Sequence, residues 1–108
     1  MSPPDPPGPA APRRLAWSEH AVTQLAAIAE YISAASPVYA EQTVERVRQR
    51  LAQAAEYPES GRVVPEVGAP DLRELLEWPY RLVYRVRPDV IEVLAVIHGR
   101  RDLPRALP

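Results

Sequence analysis

Two apolar stripes of helical period lie almost back to back in this chain, separated only at Ser36-Pro37. Leu25, Ile28, Ala29 and Ile32 recur at i, i+3, i+4 and i+7, one face of a helix over about Glu19 to Ala34. Ser18 is a residue type that accepts a first-turn N–H, and Trp17 and Val22 stand at the positions of a hydrophobic staple. Ala40, Val44, Val47, Leu51 and Ala54 form the second stripe, begun by Ser36 as cap and Pro37 at the first helical position and stopped by Pro58. A break this short leaves the helices one arrangement, an antiparallel hairpin. Its joint apolar face needs a partner surface, which the rest of the chain has to provide.

That surface reads as a sheet. Arg14 to Trp17 is a short strand candidate. After a loop rich in Pro and Gly at 58–70, Leu72 to Glu77 is a second, and Leu82, Tyr84 and Val86 alternate with Arg81, Val83, Arg85 and Arg87 in a third. Pro88-Asp89 is a turn signal, and the nearly continuous apolar run from Val90 to His98 predicts the most buried strand. The expected fold class is α+β, order β-α-α-β-β-β: an antiparallel helical hairpin packed on one face of a small, mainly antiparallel sheet. With 108 residues there is material for one domain, and little chain remains for the opposite face, which is expected to stay partly open with Arg side chains at its rim. Residues 1–13, MSPPDPPGPAAPR, carry too much Pro for a helix or central strand and read as a disordered tail, leaving 14–108 as the domain.

Composition narrows the function classes. The absence of Cys excludes disulfides and thiolate metal sites. His20 and His98 are too far apart in sequence to form a His-rich cluster, so neither metal nor cofactor is expected. No apolar run approaches the ~20 residues that span a bilayer, and no secretory signal opens the chain; a cytoplasmic protein without membrane contact is expected. The net charge is −1 and every cation is Arg, the better residue for planar, bidentate contact with phosphate or carboxylate. Arg100 and Arg101 stand together near the C-terminus, poorly explained by packing.

Three segments resemble the RelE/ParE toxin superfamily of type II toxin–antitoxin systems, and within it the ParE-like branch: W-S-E-H-A from Trp17, Y-P-E-S-G-R from Tyr57, and P-Y-R-L-V-Y-R-V from Pro79 with V-I-H-G-R-R-D-L from Val96. Their order and spacing also match, over about residues 14–103. The resemblance implies a toxin held silent by a cognate antitoxin (ParD-like or similar) that wraps it with a helical or extended segment. ParE-like members are described as DNA gyrase poisons, and RelE-like members as endoribonucleases acting on ribosome-bound mRNA.

The nuclease needs an acid, a base and cationic stabilisation of the phosphorane. Arg81, Arg100 and Arg101 are the candidate charges, and His98 is the candidate acid or base; Arg81, His98 and Arg101 would be the catalytic set. RelE-type nucleases, however, have basic residues on the strand before the Tyr-Arg pair, where this chain has Leu72 and Glu74, and a Tyr after the C-terminal basic pair, where Asp102 to Pro108 has none. A carboxylate at a phosphate site repels the substrate. The reading is therefore a non-enzymatic gyrase inhibitor with Arg81, Arg100 and Arg101 as target-binding residues and Trp78 as a partner anchor. The alternatives are the endoribonuclease and an inactive module that keeps only antitoxin binding. Each residue also has a plain structural reading: Arg81 in an ion pair with a carboxylate such as Glu92, His98 as a hydrogen-bonded strand end, Tyr80 and Tyr84 as sheet packing, Trp78 as core.

Overall fold

The structure, a computed structural model, describes residues 12–99. Arg14–Trp17 forms β1, Glu19–Ser33 α1, Pro37–Glu56 α2, Arg62–Val63 β2, Leu72–Glu77 β3, Tyr80–Val86 β4 and Val90–His98 β5, with a 3-10 turn at Pro58–Ser60. The sheet order is β1-β5-β4-β3-β2; β1 runs parallel to β5 and every other pair is antiparallel. The α+β arrangement expected from the periodicities is the one observed.

Local chemistry sets the helix ends. Ser18 Oγ accepts from the Ala21 N–H at 3.0 Å, and Ser36 Oγ accepts from the Tyr39 N–H at 3.2 Å. Each satisfies one of the donors that a first helical turn leaves unpaired. The Ser18 hydroxyl also donates to the Leu94 carbonyl at 3.3 Å, tying the start of α1 to β5. Between the helices, the Ala35 and Ser36 N–H groups both return to the Ile32 carbonyl, so the chain reverses in three residues.

The main core lies between hairpin and sheet and contains Ala21, Val47, Leu51, Leu75, Leu82, Tyr84, Ile91, Val93 and Val96. Val93 and Val96 share this face despite their odd spacing. The ladder shifts between Val83↔Ala95 and Tyr84↔Val93, which leaves Leu94 as an extra residue. A bulge of this kind inverts the alternation beyond it, so Ala95 and Ile97 turn to the other side.

That other side is more covered than the partly open face expected. Val64, Leu72, Val83, Ala95 and Ile97 form a second buried cluster, with Ala69 packed against it. The chain for this cover comes from the loop after α2, which adds β2 at the sheet edge and then crosses the face. The Val64 N–H donates to the Leu72 carbonyl at 3.1 Å, and Val64 is fully buried. Arg13, placed by composition at the end of the tail, is also part of the fold: its N–H donates to the Ala55 carbonyl and its Nε to the Arg87 carbonyl, both at 2.9 Å. Residues 1–11 of the tail lie outside the described residues.

Candidate functional site

Arg81 stands on β4, opposite Ile97 on β5, and so faces the loop side of the sheet. Its guanidinium is committed on both edges. Nε donates to Glu74 at 2.6 Å, while Nη1 and Nη2 donate to the two oxygens of Glu66 at 2.7 and 2.9 Å, a bidentate fork. Glu74, with a fully buried side chain, accepts a second bond from Arg62 Nε at 2.7 Å. Among the described residues, two Arg and two Glu thus alternate in one ion-pair network, so the buried charges face opposite ones. The hydrogen bonds to Glu66 hold the Arg81 pKa further above its ordinary value; burial opposes this, and the bond to and charge of Glu74 add to it. Arg81 pairs with these two carboxylates and not with Glu92, which Arg87 takes.

On the opposite face of the sheet, α1 and the ends of β4 and β5 enclose a cleft of about 340 Å³. Gln24, Ile28 and Tyr31 line it from the helix, and Tyr80, Val96 and His98 from the sheet. The Tyr80 and His98 rings meet edge to face, centroids 6.4 Å apart. Gln24 Oε1 accepts from the Val96 N–H at 2.8 Å, a donor that β1, ending at Trp17 opposite Val93, does not reach. Burial raises the Tyr80 phenol pKa, with the nearby phenols of Tyr39 and Tyr31 adding to it. Arg81 and His98, the described members of the nuclease set, therefore project to opposite sides of one sheet. Arg100 and Arg101 lie outside the described residues.

Two further surfaces carry apolar groups. Trp78, 79% exposed, sits at the β3–β4 turn before a cis bond to Pro79, with Leu76 half exposed beside it. It is no part of the core. Between the helices, Trp17, Val22, Leu25, Ala26 and Val44 line a groove of about 430 Å³ with Arg48 at its rim. Sequence reading named Trp17 and Val22 for their cap geometry and missed the groove they border. It also missed Glu66, which no periodicity marks. Glu74 had a signal: at i+2 from Leu72 it shares that residue's buried face, and a carboxylate there needs cations across the ladder, which Arg62 and Arg81 supply. Among the described residues no group of side chains is placed to hold a metal ion, and no helix is long and apolar enough to cross a membrane.

Comparison with known proteins agrees with this architecture. A solved structure from a chromosomal ParDE toxin–antitoxin system of P. aeruginosa superposes with a TM-score of 0.64 at 24% identity, covering 80% of this chain and 95% of that one, which shows the shared fold. The candidate toxin Y4kP of Sinorhizobium fredii is 34% identical over 95 residues, 88% of this chain and 97% of the relative. Toxin RelE2 of Caulobacter vibrioides is 32% identical over 89 residues, 82% of this chain and 97% of that protein. The family described as the ParE toxin of the type II toxin–antitoxin system parDE matches residues 15–103. The chain belongs to the ParE toxin family and is a toxin of a type II toxin–antitoxin system.

Proposed function

We infer that this toxin acts in the cytoplasm by binding and inhibiting DNA gyrase, does no covalent chemistry, uses no cofactor, and is neutralised by a ParD-like antitoxin. The observation that carries the non-enzymatic reading is the separation of Arg81 from His98. A phosphorane needs its stabilising cation and its proton-transfer group converging on one phosphate. Here the sheet stands between them, and two carboxylates already neutralise Arg81. Target contact then falls to Arg100 and Arg101, with Trp78 as the anchor for a protein partner. An exposed Trp beside Leu76 is the kind of group that dominates protein interfaces. The groove between the helices supplies apolar surface for the antitoxin, whose interface is expected to bury at least ~1,000 Å².

The runner-up is a ribosome-dependent mRNA endoribonuclease using Arg81, His98 and Arg101; similarity to a relative named RelE2 favours it. A module that keeps only antitoxin binding is the third reading. Controlled expression separates the three. Gyrase inhibition predicts growth arrest with DNA-damage signalling and intact mRNA. Cleavage of translated mRNA without that signalling supports the runner-up, and unimpaired growth with retained antitoxin binding supports the third.

A further inference from the structure

We propose that the β3–β4 corner is a docking site for an acidic, apolar segment of a protein partner: Trp78 and Leu76 receive its apolar side chain, and Arg46 and Arg50 of α2 receive its carboxylate. This rests on the reading of Trp78 as a partner anchor and deepens it by naming the chemistry that the anchor meets.

The corner is held from the helix side. Arg50 Nη2 donates to the Leu76 carbonyl at 3.2 Å, which ties the backbone two residues before Trp78 to α2. Arg46 Nε donates to Glu77 Oε1 at 3.1 Å, and Arg50 Nε stands 3.6 Å from Glu77 Oε2, so both cations grip the residue that precedes Trp78. The two Arg are braced on their own helix, Arg46 Nη2 on Thr43 Oγ1 at 3.3 Å and Arg50 Nη1 on Gln53 Oε1 at 3.2 Å. An anchor whose backbone is fixed before binding loses less freedom when it binds. What this clamp presents is apolar: Trp78 is 79% exposed and Leu76 49%. Intramolecular packing accounts for neither exposure.

Charge complementarity selects the partner. Among the described residues, Arg46 and Arg50 share one carboxylate, that of Glu77, and both Arg side chains keep exposed surface. The positive excess therefore lies beside the apolar pair. Arg46 also stands over the half-exposed Tyr39 ring, Cζ 5.5 Å from its centroid, which extends the surface onto α2. A carboxylate next to an apolar side chain matches both halves of this surface. A single nucleic-acid strand matches it less well. Trp and Arg suit bases and phosphates, but Glu77, in contact with both cations, repels a run of phosphates.

The test is selection of short peptides from a random displayed library on the full-length chain, followed by titration of the enriched peptides. Enriched sequences are expected to pair Asp or Glu with Leu, Ile or an aromatic residue, and Trp78→Ala to weaken them at least about tenfold. Arg46→Gln with Arg50→Gln is expected to weaken them roughly two- to fivefold and to flatten their salt dependence. Exchanging the peptide's own Glu for Gln is expected to do the same without any change in the protein, and to do nothing further in the double variant. In Arg50→Gln alone, the heteronuclear NOE of the Trp78 amide is expected to fall while that of the buried Leu82 holds; an unchanged value at Trp78 removes the clamp. No enriched peptide that needs Trp78 overturns the site. Peptides that need Trp78 but neither Arg nor an acidic residue overturn the acidic partner while keeping Trp78 as an anchor. An oligothymidine strand that binds at Trp78 more tightly than the peptides overturns the protein partner. Neither gyrase nor antitoxin enters the selection, so the target reading stands or falls separately.

Discussion

Tyr84 shows how one hydroxyl organises a stretch of chain that has no regular structure. Its ring is fully buried in the main core. Its O–H donates to the Pro58 carbonyl at 2.7 Å and accepts from the Gly61 N–H at 3.0 Å. An ideal Cβ at Gly61 would lie 2.4 Å from that oxygen, so the approach requires glycine. The Y-P-E-S-G-R segment is thus held by the second Tyr of the P-Y-R-L-V-Y-R-V segment. Tyr84→Phe is expected to lose about 1–3 kcal/mol of stability, because the Gly61 donor is left buried and unpaired; denaturant unfolding measures it. Burial raises the Tyr84 pKa, against smaller lowering contributions from the Gly61 hydrogen bond, Ser60 and Arg73. A group whose folded pKa is raised binds its proton more tightly when folded. Its contribution is complete below the unfolded value of about 10 and disappears as pH climbs through the folded value. The native chain is therefore expected to weaken above about pH 10, and Tyr84→Phe to blunt that fall. The packing role of Tyr84 was legible from strand alternation. Its hydroxyl's partners were not, since they lie in a loop more than twenty residues away. Arg81 misled for a related reason: Glu92 faces Arg85 in the register, four strand positions away from Arg81, about 13 Å at ~3.3 Å per residue.

At the scale of elements, what periodicity encodes was legible and what composition alone encodes was not. The stripes from Leu25 and Ala40 and the Ser36-Pro37 break gave the hairpin, and the alternation around Leu82 gave β4. The segment at 58–70 announced only that it was a loop. Proline and glycine say where regular structure stops, not over which face the chain then runs, and the bulge at Leu94 that turns Ala95 and Ile97 toward that face has no sequence mark either. Val64 is the residue on which the two pictures part. If the loop were a surface connector, Val64→Ala would be nearly silent. As an anchor with no exposed surface, it is expected to cost about 2 kcal/mol, from two lost methylene equivalents and the cavity they leave. Thermal or denaturant unfolding of this single variant separates these outcomes.

At the scale of the whole molecule, the quantities to measure are the fold boundary and the mode of action. Arg13 is bonded to α2 and to the β4–β5 turn, so removing residues 1–12 is expected to preserve thermal stability and growth arrest, whereas a cut that includes Arg13 breaks two of its hydrogen bonds. A large drop in melting temperature on removing 1–12 alone would put the boundary elsewhere. The family was readable from three spaced segments because each serves a structural need: Trp17 and Ser18 at the strand-to-helix junction, Tyr57 to Arg62 under the Tyr84 hydroxyl, and Tyr80 to Val86 as a central strand. The target was not readable, because an adjacent Arg pair such as Arg100-Arg101 suits phosphate and carboxylate alike. Inhibition of gyrase by occupation is read out by plasmid supercoiling with purified gyrase and increasing toxin. Dose-dependent loss of supercoiling is expected, reversed by antitoxin, retained by a folded His98→Ala variant and weakened by Arg100→Ala with Arg101→Ala. Gyrase left unaffected, together with ribosome-dependent mRNA cleavage that disappears in folded His98→Ala, would contradict it.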